Sequence, residues 1–516
     1  MDDLLLTGRW VVLSATDVCQ DHAVLVHHGR VAKTGPAADM RAAHPGIPEW
    51  GGPDCAILPG LINAHHHCYG PELLNHAVAD DFLEPWMFSG PAMTGLSNYA
   101  STAYSAFRLL RSGVTAVVDM CAAGPSRAVA ETRLHEKAAA YRDAGIRASI
   151  APGERWQNRI VHGSGEEAAF LATLPPGLRT RLLESEARRQ RLAPAEYLAL
   201  IGTLVPQGNG FQNFWFGPTG PQWTPDGLLQ QIAAAAERLD TRIQTHVLES
   251  HYESIESPRI RGGSVIRHFE NTGLLTGRLS LAHAVWATGE DIDRLARSGT
   301  QVSHNPSSNL RLRSGIASAA AMVEAGVATA IGMDGTSLAG DEDMFAEMRL
   351  ALNLNRPPHS TAQSLTAQQV FAMATEHGAR LMGREDELGR LHPGFCADAV
   401  VLNLQRLLAP WSSTAADPLE LIVGRAKADD VRDVLVGGRP VLHSRICTGI
   451  DERSLMNRVQ QEADANPPSP AARQLQRDLR PYLMRWYARW DAWAADTHPP
   501  VTRYGARPSP TGKDLQ

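Results

Sequence analysis

Pro59-Gly60-Leu61-Ile62-Asn63-Ala64-His65-His66-His67 is the stretch on which the reading of this chain turns. With Ala56, Ile57 and Leu58 ahead of it, the run is apolar, carries Pro and Gly punctuation, and reads as one buried strand that ends in histidines. Side chains alternate along a strand, so His65 and His67 share a face while His66 points away. Two imidazoles side by side at a strand end can chelate one metal ion. Two ordinary loop histidines look the same in isolation, so the rest of the chain has to decide.

Composition narrows the field. A length of 516 residues suits one large domain with a satellite, or two to three domains. Hydrophobic residues at 43% and charged residues at 20% are those of a soluble globular protein. A net charge of −6 is mild and gives no reason to expect nucleic acid or an anionic membrane as partner. No stretch of eighteen apolar residues suggests a membrane span, and Met1-Asp2-Asp3 is acidic where a signal peptide would be basic. Six scattered cysteines (Cys19, Cys55, Cys68, Cys121, Cys396, Cys447) with no CxxC pair point to reduced thiols and a cytoplasmic protein. Lysine occurs only at Lys33, Lys137, Lys427 and Lys513. The span 138–426 therefore holds none, which excludes a Schiff base, a P-loop or a carbamylated lysine bridge there.

Residues 1–55 read as short strands with turns (Trp10-Val11-Val12-Leu13, Ala23-Val24-Leu25-Val26). The texture returns at 391–445 in Ala399-Val400-Val401-Leu402 and Val434-Leu435-Val436. We expect the two β-rich ends to pair into one β-sandwich. Between them, over 56–390, strands alternate with helical segments: a helix over 101–111 before Gly113, a strand from Val114, a helix over 133–144 before Gly145, then a strand from Ile146. Repeated β-then-α units imply a parallel sheet. Their number favours a closed (β/α)8 TIM barrel of the α/β class over an open sheet. The charge-rich segment 154–207 reads as an insertion over one barrel face. Residues 446–516 read as a helical extension and tail. In a helix over 475–495, Tyr482, Trp486, Trp490 and Trp493 form one stripe, suited to docking on the barrel or on a second subunit. A homo-oligomer follows from the second option. The last residues, from Pro499, read as a poorly structured tail.

Four further chemical groups fall at strand ends of the middle region: His246 with Glu249 just past it, His283, His304, and Asp334 followed by Gly335. Parallel barrel strands aim their C-terminal ends at one mouth, so these groups converge there. Three neutral imidazoles and a carboxylate (His65, His67, His246, Asp334) suit one borderline divalent ion, Zn2+ first, with Fe2+ or Mn2+ as alternatives. Such an ion lowers the pKa of a bound water from about 16 toward ~7 and yields a hydroxide nucleophile. Asp334 can ligate with one oxygen and take the proton with the other. Glu249 can then carry the proton to a leaving nitrogen, and His283 can hydrogen-bond the substrate or serve as a fifth ligand.

These stretches resemble the amidohydrolase superfamily, in the branch of cytosine, guanine and S-adenosylhomocysteine deaminases and the triazine hydrolases. The matching motifs are PGLINAHHH (59–67), SGVTAVVD (112–119), AGIRA (144–148), HVLES (246–250), LAHAV (281–285), SHNPSSNLRLRSG (303–315), GMDGTS (332–337) and DMFAEMR (343–349), over roughly residues 1–445. The resemblance implies a distorted barrel, a sandwich from both chain ends and one catalytic metal. It also implies ligation by His65, His67, His246 and Asp334, acid/base work by Glu249, and substrate or water contact by His283. The missing lysine fits its mononuclear branch. His66 with Cys68, the insertion and the aromatic tail depart from the pattern. Trp86, Gln222, Trp223 and Asn309, with Arg155 and Trp156, are substrate-pocket candidates, each with core packing as its ordinary alternative.

The expected function is attack by metal-bound hydroxide on an electron-poor carbon of a small nitrogen heterocycle, with ammonia leaving. The alternatives keep the site and change the leaving group to chloride, alkylamine or a cyclic-amide nitrogen of a triazine- or hydantoin-like compound, or drop catalysis and leave a metal-binding scaffold.

Overall fold

The run read as one strand is two strands of different sheets. The computed structural model describes residues 3–90, 93–335, 337–356 and 364–497. In it β1 (Leu4–Ser14), β2 (Asp17–His27), β3 (Arg30–Pro36) and β4 (Glu49–Pro59) precede β5 (Leu61–His66). β4 pairs in parallel with β1, whereas β5 opens the barrel. Gly60 makes the transfer possible: a Cβ there would lie 2.1 Å from Thr115 Oγ1, and its N–H donates to the Asp398 carbonyl at 2.8 Å. The apolar run continues through the junction because both strands are buried, which is why it reads as one.

The barrel continues through β6 (Val114–Ala122), β7 (Arg147–Gly153), β8 (Gln212–Phe214), β9 (Ile243–Val247), β10 (Leu279–His283), β11 (Gln301–His304) and β12 (Thr329–Ile331). These strands form two four-stranded parallel sheets, β5-β6-β7-β8 and β9-β10-β11-β12. Single parallel bridges, Phe216 to Ile243 and His66 to Asp334, join them at the two seams. The result is the anticipated distorted (β/α)8 barrel. Its helices stop where the residues say they must: Arg127–Ala144 ends on Gly145 at φ 79°, and Gly289–Ser298 begins on a Thr288–Asp291 capping box and ends on Gly299 at φ 71°.

β13 (Ala399–Asn403), β14 (Val431–Val436), β15 (Arg439–His443) and β16 (Ile446–Cys447) return to the N-terminal strands. Together they make one eight-stranded sheet in the order β16-β15-β14-β13-β4-β1-β2-β3. It has its own core, with Leu6, Val11, Val24, Ile57, Ala399, Val401 and Leu435. The buried Arg147–Asp398 pair, 2.7 Å apart, ties this sheet to the barrel.

The excursion over the barrel is shorter than 154–207. Helix Pro194–Leu204 sinks Tyr197, Leu200, Ile201 and Leu204 into the main core beside the helices Arg127–Ala144 and Asp226–Arg238, as a member of the outer ring. The charged segment before it conceals that apolar face in the sequence. The C-terminal helix, Pro470–Thr497, does dock on its own chain. Leu479, Leu483, Trp486, Tyr487 and Trp490 pack against Phe88, Ile160, Phe170, Leu178, Leu182, Tyr252 and Ile255. With Trp486 and Trp490 used this way, the stripe gives no argument for a second subunit. The tail from Pro499 lies outside the described residues. Among the described residues no helix is long and apolar enough to cross a membrane.

Trp486 meets the Phe170 ring edge-on at 5.4 Å. Trp486→Ala is expected to remove about 3–5 kcal/mol of packing. A lowered Tm, with faster tryptic cleavage within the C-terminal helix, checks this.

Candidate metal centre and acid/base site

The strand ends deliver what the alternation promised. His65 lies on β5 with His67 just beyond it, His246 lies on β9, His283 closes β10, and Asp334 follows β12. His67 Nε2 is 3.1 Å from Asp334 Oδ1 and 3.2 Å from His246 Nε2. His65 Nε2 is 3.7 Å from Asp334 Oδ1, and His283 Nε2 is 3.7 Å from Asp334 Oδ2. Two donor sets, His65–His67–His246 and His65–His283–Asp334, each lie within 4.8 Å and share His65. Donors on a tetrahedral ion with bonds of ~2.1 Å stand about 3.4 Å apart, and the observed spacings bracket that value. His66 turns to the other side, 3.0 Å from Cys68 Sγ.

The proton positions support the same centre. His67 Nδ1 lies 2.8 Å from the Met120 carbonyl and His246 Nδ1 lies 2.7 Å from the Thr219 carbonyl. A carbonyl only accepts, so each Nδ1 carries the hydrogen and each Nε2 presents a lone pair inward. His65 Nδ1 does the same toward Gln244 Oε1 at 2.9 Å, the amide being oriented by Nε2 donating to the Ala64 carbonyl. His283 Nδ1 faces Asn309 Oδ1 at 2.8 Å. The Nε2 atoms of His65 and His283 are buried with no hydrogen-bond partner in the protein. Inward lone pairs, oxygen-anchored outer nitrogens and unpartnered buried donor atoms are the marks of a divalent-metal site.

Electrostatics agree. Burial lowers the pKa of His65 and His283, and burial with the neighbouring His67 and His283 brings His246 down to about 3. Neutral imidazoles are the ligand form. Burial alone would raise Asp334; His67, His65 and His283 pull it well below the usual carboxylate range only in so far as they carry a proton, the place a cation takes when they are neutral. Ser308 Oγ donates to its second oxygen at 2.5 Å. Lys137, buried, is spent on Asp119 at 2.8 Å and takes no part in the donor set.

Glu249 follows Leu248 at the end of β9 and places Oε2 at 3.6 Å from His283 Nε2. Burial, then Glu253, Asp334 and Glu84, push its pKa well above the ordinary value. A neutral carboxyl beside a metal centre can donate a proton. Backbone at these ends is left-handed in non-glycine residues: Leu248 at φ 52°, His283 at φ 77° and Asp334 at φ 57°. Such residues cost about 1–3 kcal/mol each and persist where surrounding contacts over-determine them.

The other pocket candidates fall variously. Asn309 holds His283, while Gln222, buried, donates to Glu253 Oε1 at 3.0 Å. Trp223 is buried 5.7 Å from the His162 ring and under Arg155, whose guanidinium carbon is 5.8 Å from the indole. Trp86 ends the short helix Leu83–Trp86 and is half-buried. His304 ends β11 outside the donor sets. The sequence reading missed Gln244, Ser308 and Glu253. Gln244 was findable, since it sits two residues before His246 on the same strand face. Glu253, four residues after Glu249, was findable by helical spacing. Ser308 had no such signal.

An eight-stranded barrel with this donor set at its mouth is the architecture of a metal-dependent hydrolase. Residues 56–441 match the Amidohydrolase family, and the chain belongs to it. Residues 23–46 also match an imidazolonepropionase-like composite domain of bacteria. A 5-methylthioadenosine/S-adenosylhomocysteine deaminase from Symbiobacterium thermophilum is 32% identical over 476 residues, covering 90% of this chain and 99% of the relative. A 5'-deoxyadenosine deaminase from Methanothermobacter thermautotrophicus is 30% identical, with coverage of 78% and 85%. An adenosine deaminase from Xanthomonas campestris, solved with bound zinc, superposes with TM-score 0.74 at 27% identity, over 90% of this chain and 98% of that one. An atrazine chlorohydrolase from Arthrobacter aurescens TC1, also with zinc, shares the fold at TM-score 0.72 and 21% identity, over 89% and 100%.

Two outcomes are expected. His246→Ala or Asp334→Asn should lower bound metal at least about tenfold, measured by elemental analysis of dialysed protein. Glu347, which accepts hydrogen bonds from Ser307 beside Ser308, is pushed by burial up to about 8. A raised folded pKa means stability fully present below the unfolded value and lost as pH climbs through 8. Glu347→Gln should therefore lose less Tm than wild type between about pH 6 and pH 9, read by thermal melts.

Proposed function

We propose that this chain is a metal-dependent aminohydrolase that replaces an amino group on an electron-poor carbon of a nitrogen heterocycle by water, releasing ammonia. The observation that carries it is the buried Glu249 carboxyl, with its raised pKa, 3.6 Å from His283 at the edge of the donor set. A divalent ion, which we read as zinc with iron or manganese as alternatives, would be held by His65, His67, His246 and Asp334, and when bound it supplies acidification of a water at neutral pH.

The chain's own groups do the rest. Asp334 keeps one oxygen toward His67 and the other toward Ser308, so a proton it accepts arrives in a fixed direction. His283 Nε2 lies between Glu249 Oε2 and Asp334 Oδ2, and its Nδ1 faces both Asn309 Oδ1 at 2.8 Å and Asn305 Nδ2 at 3.3 Å. In the tautomer that donates to Asn309 His283 is an acceptor or fifth ligand, and in the one that accepts from Asn305 it donates to the substrate. Protonated Glu249 delivers its hydrogen to the departing nitrogen, a step that chloride would not need. Trp86 and Trp223 remain aromatic candidates for stacking on the heterocycle, while Tyr69 already stacks on His67 at 5.3 Å.

We take 6-aminopurine nucleosides as the first substrates to try, because the relatives at 30–32% identity are named for them. Six free thiols favour a cytoplasmic location. The test is release of ammonia from a panel of aminopurines, aminopyrimidines and aminotriazines by metal-loaded protein. Chloride or alkylamine release in its place moves the assignment to the triazine alternative. Glu249→Gln is expected to retain metal and to lose about 10²-fold or more in kcat. A wild-type rate from that variant removes Glu249 from the mechanism.

A further inference from the structure

The turn that carries Glu249 is held in a shape its residues do not favour. Leu248 is left-handed at φ 52° with its side chain buried, and neither glycine nor asparagine relieves it. Three contacts hold the turn. Trp286 N–H donates to the Leu248 carbonyl at 3.1 Å. Ser250 Oγ donates to Glu84 Oε1 at 2.5 Å. Glu249 N–H donates to Glu253 Oε2 at 2.9 Å.

The third contact is out of place for ordinary helix capping. Ser250 caps the helix His251–Arg261 by accepting the Glu253 N–H. In a capping box the Glu at the third helical position reaches back to the N–H of the cap residue itself. Here Glu253 reaches one residue further, to Glu249. Its other oxygen is pinned by Gln222 Nε2 at 3.0 Å, and the Gln222 carbonyl accepts from Asn158 Nδ2 at 2.7 Å. Burying this carboxylate among Glu249, Glu84 and Glu256 is unfavourable, and the cap was already supplied by Ser250. The position of Glu253 is explained by what it does to the turn.

We propose that Glu253 is a positioning residue, whose carboxylate clamps the Glu249 N–H and fixes the left-handed turn that aims Glu249 at His283. This rests on Glu249 being the acid/base group proposed above. Among the described residues Glu253 makes no hydrogen bond to His65, His67, His246 or Asp334; its charge adds to the raised pKa of Glu249, and its clamp acts through the backbone, so the Gln variant, which drops the charge and keeps an acceptor, separates the two.

The experiment compares metal-loaded, full-length Glu253→Met and Glu253→Gln. Met keeps the volume and removes the acceptor, and such apolar replacement of buried ions is often neutral for folding. Gln retains an acceptor oxygen. Glu253→Met is expected to lose about 10²-fold in kcat, the scale of a small misplacement, with KM and metal content within about threefold of wild type. Its Glu249 amide should exchange hydrogen at least about tenfold faster. Glu253→Gln should stay within about fivefold of wild type in both readouts. In a Glu249→Gln background, Glu253→Met should add less than about twofold, because both act through one group. Unchanged Glu249 amide exchange in Glu253→Met, losses that add in the double variant, or equal failure of the Met and Gln variants would each overturn the proposal. If wild type turns over nothing in the heterocycle panel, the deaminase reading fails, and the exchange experiment still decides the clamp. Should Glu253→Met not fold, Glu253→Ala takes its place with the same expectations.

Discussion

The carbonyl of His65 is the hinge of this structure. It accepts the N–H groups of Met333 and Asp334 at 3.1 and 2.9 Å, while Asn63 Oδ1 accepts Met333 N–H at 3.1 Å. These few bonds form the seam between the first and last barrel strands. They also fix the distance between the HxH pair and Asp334, although nearly 270 residues separate them in the chain. Closure of the barrel and assembly of the donor set are therefore one event. Gly332 permits it, because a Cβ there would crowd Asn305, Ser303 and His65 at under 3 Å.

What assembles at the seam is electrostatically unfinished. Four imidazoles, each anchored through Nδ1, turn lone pairs on one carboxylate and on one another. Buried donor atoms left without partners cost free energy, and a divalent cation is the partner that answers all of them together. The second buried group, Glu84, Glu249, Glu253 and Glu256, has His162 and Arg261 among its cationic neighbours. Burial and mutual repulsion raise the pKa of Glu249, Glu253 and Glu256, so these carboxyls hold protons more readily than free ones. One side of the mouth thus suits a metal, and the other suits the storage of a proton.

Much of this was readable before any coordinates. Period-two alternation put His65 and His67 together, and the rule that parallel strands share one mouth brought in His246, His283 and Asp334. What the sequence could not disclose were features with no periodic signal. The break at Gly60 is invisible because two buried strands on either side of it have one composition. The helix Pro194–Leu204 was masked by the charge just before it. Ser308 and Glu84 reach the site from loops and short helices whose direction depends on packing alone. The aromatic stripe was visible as a stripe, but its partner was unknowable until Phe170, Leu178 and Leu182 were seen to face it.

That stripe has a consequence for biogenesis. Tyr487 OH accepts the His162 N–H, His162 lies against Glu84, and Glu84 meets Ser250. The helix Pro470–Thr497 is thus joined by continuous hydrogen bonds to the turn that carries Glu249. Until it arrives, Phe170, Leu178, Leu182 and their neighbours lie bare on a nascent barrel. Because this helix follows the barrel in the chain, its docking comes after the face it covers has been made, and a polypeptide clipped ahead of it carries a greasy scar that chaperones and proteases can read.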